Sequence, residues 1–196
     1  MSQSPVQRAE ILNIAEYEKA RPEFRQRVMA LKEQRRLSVG PHFTFLFENH
    51  ETVRYQIQEM MRVERIVDER AIRHEIDTYN AFIPGEGALS ATLLLEYPDR
   101  EAREIALPKL AGIDRHVWLV CGDLARVPAR FDLAQIGEDR VSSVQYVQFH
   151  LPAGHRAQWR ALGAAGQLKL AVDHPHYTHE AGIPPGMADA LAQDLA

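Results

Sequence analysis

An α+β fold is predicted, with a largely antiparallel sheet in the C-terminal two-thirds covered by N-terminal and short C-terminal helices. Three observations predict it. Apolar residues recur at helical spacing in the first third, alternating or continuous apolar runs fill the rest, and Gly–Pro clusters separate the runs. The 196 residues, 45% hydrophobic and 26% charged, suit one globular domain over 1–196, with residues 1–8 as a loose start.

The first helical pattern covers residues 11–36 and is interrupted at Pro22, where a second helix can begin with proline in its first turn. Phe24, Val28, Leu31 and Leu37 form the apolar stripe. Arg25, Arg27, Lys32, Glu33, Arg35 and Arg36 are assigned to solvent, with an acidic partner or an anion as the alternative. Gly40-Pro41 stops the helix, and residues 42–48 read as a strand. Its two-residue period puts Phe43, Phe45 and Phe47 on one face and His42, Thr44, Leu46 and Glu48 on the other. Asn49 can cap a helix over 51–73, whose continuation ends near Pro84.

In the second half, residues 90–97 alternate, Pro98-Asp99 turns, and 103–107 returns as a hairpin partner. Residues 116–121 form a continuous apolar run suited to a buried central strand. A long strand over 141–151 switches apolar parity between Tyr146 and Val147, which predicts a bulge or burial on both faces. A short helix (155–164), a strand (167–173, with Leu168, Leu170 and Val172 inward), a Gly-Pro loop (182–186) and a final helix (187–195) complete the chain.

Composition removes several classes of function. A formal charge of −4 and a pI near 6.1 leave no basic footprint for nucleic acid. No apolar run reaches the ~18 residues of a membrane span, and the first residues lack the apolar stretch of a signal peptide. The cytoplasm follows by elimination. Cys121 is the one cysteine, so an intrachain disulfide or a four-cysteine cluster is impossible; in Val117-Trp118-Leu119-Val120-Cys121 it reads as a buried, inert thiol. Gly-x-Ser-x-Gly, P-loop and His-Glu-x-x-His motifs are absent, and Gly85-Glu86-Gly87 reads as a turn.

Two anomalies remain. On a helical wheel Glu64 falls within the stripe of Val53, Ile57, Met60, Val67 and Ala71, bordered by Gln56. A carboxylate aimed at a core must be paired, protonated or bound to a cation. The second anomaly is Asp173-His174-Pro175-His176-Tyr177-Thr178-His179-Glu180, the densest set of metal-competent side chains in the chain. Neutral imidazole and carboxylate suit zinc or iron, so His174, His176, His179 and Glu64 are candidate ligands of a single transition metal. His174 continues the inward parity of its strand, whereas His176 and His179 fall on a loop beyond Pro175. The bland alternative is a satisfied structural histidine beside exposed loop ones.

The segment Ser38-Val39-Gly40-Pro41-His42-Phe43-Thr44-Phe45-Leu46-Phe47-Glu48-Asn49, followed by Thr52-Val53-Arg54-Tyr55-Gln56-Ile57-Gln58-Glu59-Met60, resembles a bacterial family of uncharacterised proteins, domain of unknown function 3501. Glu75-Ile76, Tyr79-Asn80-Ala81-Phe82-Ile83-Pro84, Leu89-Ser90-Ala91-Thr92-Leu93 and Val172-Asp173-His174-Pro175 extend the resemblance over nearly the whole chain. The resemblance implies a setting of redox or peroxide stress, beside rubrerythrin-like proteins and iron–sulfur oxidoreductases, and assigns no catalytic residue. Three readings stand on this basis: an accessory partner in such a redox system, a metal-dependent enzyme or metal-binding protein using Glu64 and the His174 region, and a homo-oligomeric module whose basic first helix faces a partner.

Overall fold

A computed structural model describes residues 4–132 and 141–195. Among these residues six α-helices flank two wholly antiparallel sheets. The first sheet has the order β1-β2-β3-β7-β6, from Arg36–Val39, Phe43–Phe47, Ala88–Leu95, Val144–His150 and Arg130–Phe131; the second has the order β5-β4-β8-β9, from Val127–Pro128, Val117–Cys121, Leu168–His174 and Tyr177–Gly182. The α+β expectation holds. The sheets are not confined to the C-terminal two-thirds, because β1 and β2 come from the first quarter of the chain.

The two sheets share one apolar core. Phe43, Phe45, Phe47, Leu89, Leu93, Val147 and Phe149 from the first meet Val117, Leu119, Cys121, Leu168, Leu170 and Val172 from the second. The period of two dictates what the other face of the first sheet shows. Opposed in register across β2, β3 and β7 are Leu46, Thr92 and Tyr146 in one row, and Thr44, Leu94 and Val144 in the next. That outer face is roofed by α2 (His50–Glu64) and α3 (Glu69–Asn80), whose Val53, Ile57, Met61, Ile72 and Ile76 form a second apolar cluster.

Several boundaries correct the sequence reading. The first helix, α1 (Ile14–Glu33), runs unbroken through Pro22. Edge-on packing of Phe24 against Tyr17 and Tyr55, with Arg27 and Arg54 over its ring, outweighs the hydrogen bond that proline cannot make. Residues 36–39 leave the helix and become β1. The predicted helix over 51–73 is two helices: Arg65 takes a left-handed conformation (φ 55°), and Asp68 caps α3 by accepting from the Ala71 N–H. The predicted hairpin strand over 103–107 is instead α4 (Arg100–Lys109), started by Asp99 accepting from the Ala102 N–H at 2.7 Å.

The predicted bulge in β7 is absent, since its register with β3 is continuous from Ala88↔His150 to Leu94↔Val144. Burial alternates cleanly, with Gln145, Val147 and Phe149 inward. The apparent parity switch arises because Tyr146 faces a roofed cavity and not water. Residues 177–182, taken for a loop, form β9, while α5 (Ala153–Ala164) and α6 (Pro185–Ala192) fall close to expectation. The start of the chain is pinned where it is described: Val6 is buried, its N–H donates to the Asn80 side chain, and the Asn80 amide donates back to the Val6 carbonyl.

Candidate functional site

Roofing a sheet with helices usually seals it, but here the seal is incomplete. A cavity of about 410 Å³ opens between the outer face of the first sheet and the ends of α1, α2 and α3. Its floor is Leu46, Glu48, Thr92, Leu94, Val144 and Tyr146; its walls are Lys32, Arg36, Val53, Gln56, Tyr79 and Phe82. This mix of apolar surface with a few converging polar groups is what small-molecule sites present.

Each polar group is placed by an identifiable local cause. Glu48 follows β2 directly, and its backbone is clamped. The Glu48 N–H donates to the Ser90 carbonyl, while the Arg35 guanidinium donates to the carbonyls of Phe47 (2.9 Å) and Glu48 (3.2 Å). Arg35 is itself buried and held by an ion pair with Asp194 beyond α6. The Glu48 carboxylate accepts from the Thr92 hydroxyl at 2.6 Å and from the Thr52 hydroxyl at 2.5 Å. A carboxylate has about four lone-pair positions, so capacity is left for a ligand.

Lys32 projects from the last turn of α1 with its ammonium 5.3 Å from the Tyr55 ring centre, a cation–π contact. Among the described residues its ammonium makes no hydrogen bond and no ion pair. Burial holds its pKa below the ordinary lysine value; Glu48 opposes that shift and Arg36 adds to it. Arg36 opens β1 at the exposed mouth and likewise has no ion-pair partner among the described residues. Burial raises the pKa of Tyr79, with Gln56 working the other way and Glu75 and Glu64 adding to it; burial also raises Tyr146, reinforced by Tyr79 and Glu48. Both phenols are therefore protonated at neutral pH. Phe82 stacks on Tyr146 at 3.7 Å and separates this cavity from a neighbouring one of about 240 Å³ that includes Ser90, Arg130 and Gln148.

The residues singled out from the sequence are placed elsewhere. Glu64 is exposed at the last position of α2, a correction to its expected burial. The wheel that placed it in the stripe assumed one helix through residue 71, whereas the buried face of α2 is Val53, Ile57, Gln58 and Met61 and the chain turns at Arg65. Val67 is 77% exposed in the connection. His174 is buried at the end of β8 as its parity required. Both of its ring nitrogens serve the backbone: Nδ1 accepts from the His176 N–H at 3.2 Å, which leaves Nε2 to donate to the Ala111 carbonyl at 3.1 Å. His176 is exposed with its ring 5.8 Å from that of His174, and His179 is exposed on β9 against Tyr177. The structure thus brings His174 near His176, adds His116 at 5.0 Å, and leaves Glu64 under the other sheet. Among the described residues no group of three or more His, Cys, Asp or Glu side chains is arranged to hold a metal ion.

The sequence points to Glu48 and Gln56 in passing and to Lys32 and Arg36 through the anion alternative of the basic cluster, but assigns no site role to Tyr79, Phe82 or Tyr146. The solvent assignment fails for Lys32, half-buried on the cavity, and for Arg35, which lies in the core on an acidic partner, Asp194, as the alternative allowed. The signal that could have found the site was the parity switch at Tyr146. Cys121 is fully buried, and burial pushes its thiol up to about 11, in line with an inert cysteine. No helix among the described residues is long and apolar enough to cross a membrane.

The fold and the cavity together define a two-sheet α+β protein with a polar pocket on the outer face of one sheet. The chain belongs to the family described as protein of unknown function (DUF3501), whose profile matches residues 5–195. It is also similar to a novel protein of unknown function from Burkholderia pseudomallei K96243, known from a crystal structure. The two are 36% identical, with a TM-score of 0.90, over 98% of this chain and 100% of that one. No curated protein matches.

Proposed function

We propose that the cavity on the first sheet binds a small organic anion. One observation carries this reading: the Lys32 ammonium is half-buried on a 410 Å³ cavity without a hydrogen-bonding or ionic partner among the described residues. A partly desolvated ammonium held only by a ring face and by the more distant Glu48 charge gains from a bound anion, which would complete its neutralisation. The lining favours a monoanion, because two cations (Lys32, Arg36) face one carboxylate (Glu48). Glu48 selects a ligand that also offers a hydroxyl or amine donor, and Tyr79, Phe82 and Tyr146 give an apolar body somewhere to rest. The redox-system role implied by the family resemblance would then rest on the ligand of this pocket and not on the buried Cys121.

Thermal unfolding against a panel of small carboxylates and phosphates tests the reading. A true ligand at about 100 times its Kd adds roughly 2.7 kcal/mol to wild-type stability. Lys32→Met should abolish that gain while changing unliganded stability by less than about 1 kcal/mol, since removing an unpaired charge offsets the lost cation–π contact. A panel that stabilises wild type and Lys32→Met equally would refute the site.

A further inference from the structure

We propose that Lys32 is a nucleophile which condenses with the carbonyl carbon of a small 2-oxo acid, whose carboxylate is received by Arg36 at the cavity mouth. This rests on the anion site above and names its ligand class and chemistry.

The arrangement around Lys32 supports this in four ways. Lys32 lines the cavity, its amine lies over the Tyr55 ring, and among the described residues it makes no hydrogen bond that would occupy it. Desolvation weakens its hold on the proton, Arg36 adds to that effect, and Glu48 and Glu59 work against it. The neutral amine is therefore more available than that of a solvated lysine. Tyr79 and Tyr146, kept protonated by burial, stand on the same cavity as proton donors toward a carbonyl oxygen, and Glu48 as an acceptor. Finally, Arg36 lies four residues beyond Lys32 with its guanidinium unpaired among the described residues, a fork suited to a carboxylate.

The step balances without an external reagent. The Lys32 lone pair forms the C–N bond as the carbonyl π electrons move to oxygen, which takes a proton from a cavity phenol. The resulting carbinolamine loses that oxygen as water, and the two hydrogens of the amine depart with it once the phenol is reprotonated. The products are one imine and one water, with nothing oxidised or reduced. A ligand without a carbonyl would bind as an anion and go no further.

The full-length protein is incubated with pyruvate or glyoxylate and sodium cyanoborohydride, and the adduct is read by intact mass and peptide mapping. The expected result is one saturable adduct on Lys32. Exposed Lys19 and Lys109, and Lys169 paired with Glu180, serve as internal controls. Lys32→Arg should remove the adduct yet keep calorimetric binding of pyruvate. Arg36→Ala should slow labelling by pyruvate roughly tenfold or more, from the loss of a charged hydrogen bond, and slow labelling by neutral propanal far less, only through the weaker push on the Lys32 proton. Labelling of Lys19, Lys109 or Lys169 as fast as Lys32 overturns the inference. So does saturable pyruvate binding to wild type without any adduct, an outcome that leaves the anion site standing. Absence of both binding and adduct with either probe overturns the two together. Lys32→Met, with an unchanged circular dichroism spectrum, guards against a folding defect specific to the arginine variant.

Discussion

The cavity on the first sheet and the histidine segment on the second are the two polar concentrations of this protein, and they differ in how their groups are satisfied. At the end of β8 the polar atoms turn to their own backbone or to each other. His174 bonds Ala111 and the His176 N–H, and Thr178 bonds the His174 carbonyl. His116 Nδ1 lies 3.0 Å from the Asp173 carboxylate, which is held below the usual range by the Trp118 indole, His116 and Arg126. On the first sheet, by contrast, Lys32 and Arg36 lack such partners among the described residues while Glu48 is fully ordered by two threonines. Density of ligand-type residues marks the first kind of region, and cations without ion-pair partners among the described residues mark the second. On the proposal above, it is the second that a ligand from outside the chain would complete.

This contrast can be broken most forcefully at Arg35, which neighbours Arg36 but belongs to the satisfied class. Asp194→Ala should cost about 3–5 kcal/mol in chemical denaturation, because it strands a buried guanidinium. A loss below 1 kcal/mol would mean that Arg35 is free to join Arg36 in the cavity's business. His174→Ala comes next, with an expected loss of about 2–3 kcal/mol from two broken backbone hydrogen bonds and a buried void.

His174 also makes a pH prediction. Burial holds its imidazole pKa below the ordinary value, with His116 and His176 adding to the shift and the Ala111 bond opposing it. The folded state thus keeps it neutral where the unfolded chain, titrating near 6.5, already binds a proton. Its contribution is complete above about pH 6.5, declines as pH falls through that value, and levels off below the folded pKa. His150 is depressed in the same direction by burial and Arg130, so wild type and His174→Ala must be compared over this window. The variant should show the shallower decline, and parallel curves would sink the assignment. Glu64→Ala should have the smallest effect, within about 0.5 kcal/mol, as for any exposed side chain without a partner to strand.

The apolar central strands β2, β4 and β8 were the most legible part of the sequence, unlike β1 and β9. Phe43, Phe45 and Phe47 alternate without ambiguity, and the continuous apolar run over 116–121 suits the central strand it forms. What misled was local chemistry overriding periodicity. A wheel cannot see the left-handed Arg65 that divides α2 from α3, and Asp99 serves a turn and a helix cap equally well on paper. The cavity was harder for a different reason. Its residues come from α1, β1, β2, α2, α3, β3 and β7, spread from Lys32 to Tyr146, and none forms a contiguous motif. The histidine segment, being contiguous, drew attention that its hydrogen-bonding geometry does not justify.

The adjacent arginines at the start of β1 carry one more consequence. Arg35 points into the core toward Asp194, and Arg36 points out to the cavity mouth, as successive residues of an extended chain must. A slip of one residue in the pairing of β1 with β2 would exchange them, burying Arg36 away from Asp194 and carrying Arg35 out of reach of the Phe47 and Glu48 carbonyls. The dipeptide therefore ties the strand register to two places at once: a shifted pairing is penalised at the core and at the mouth together.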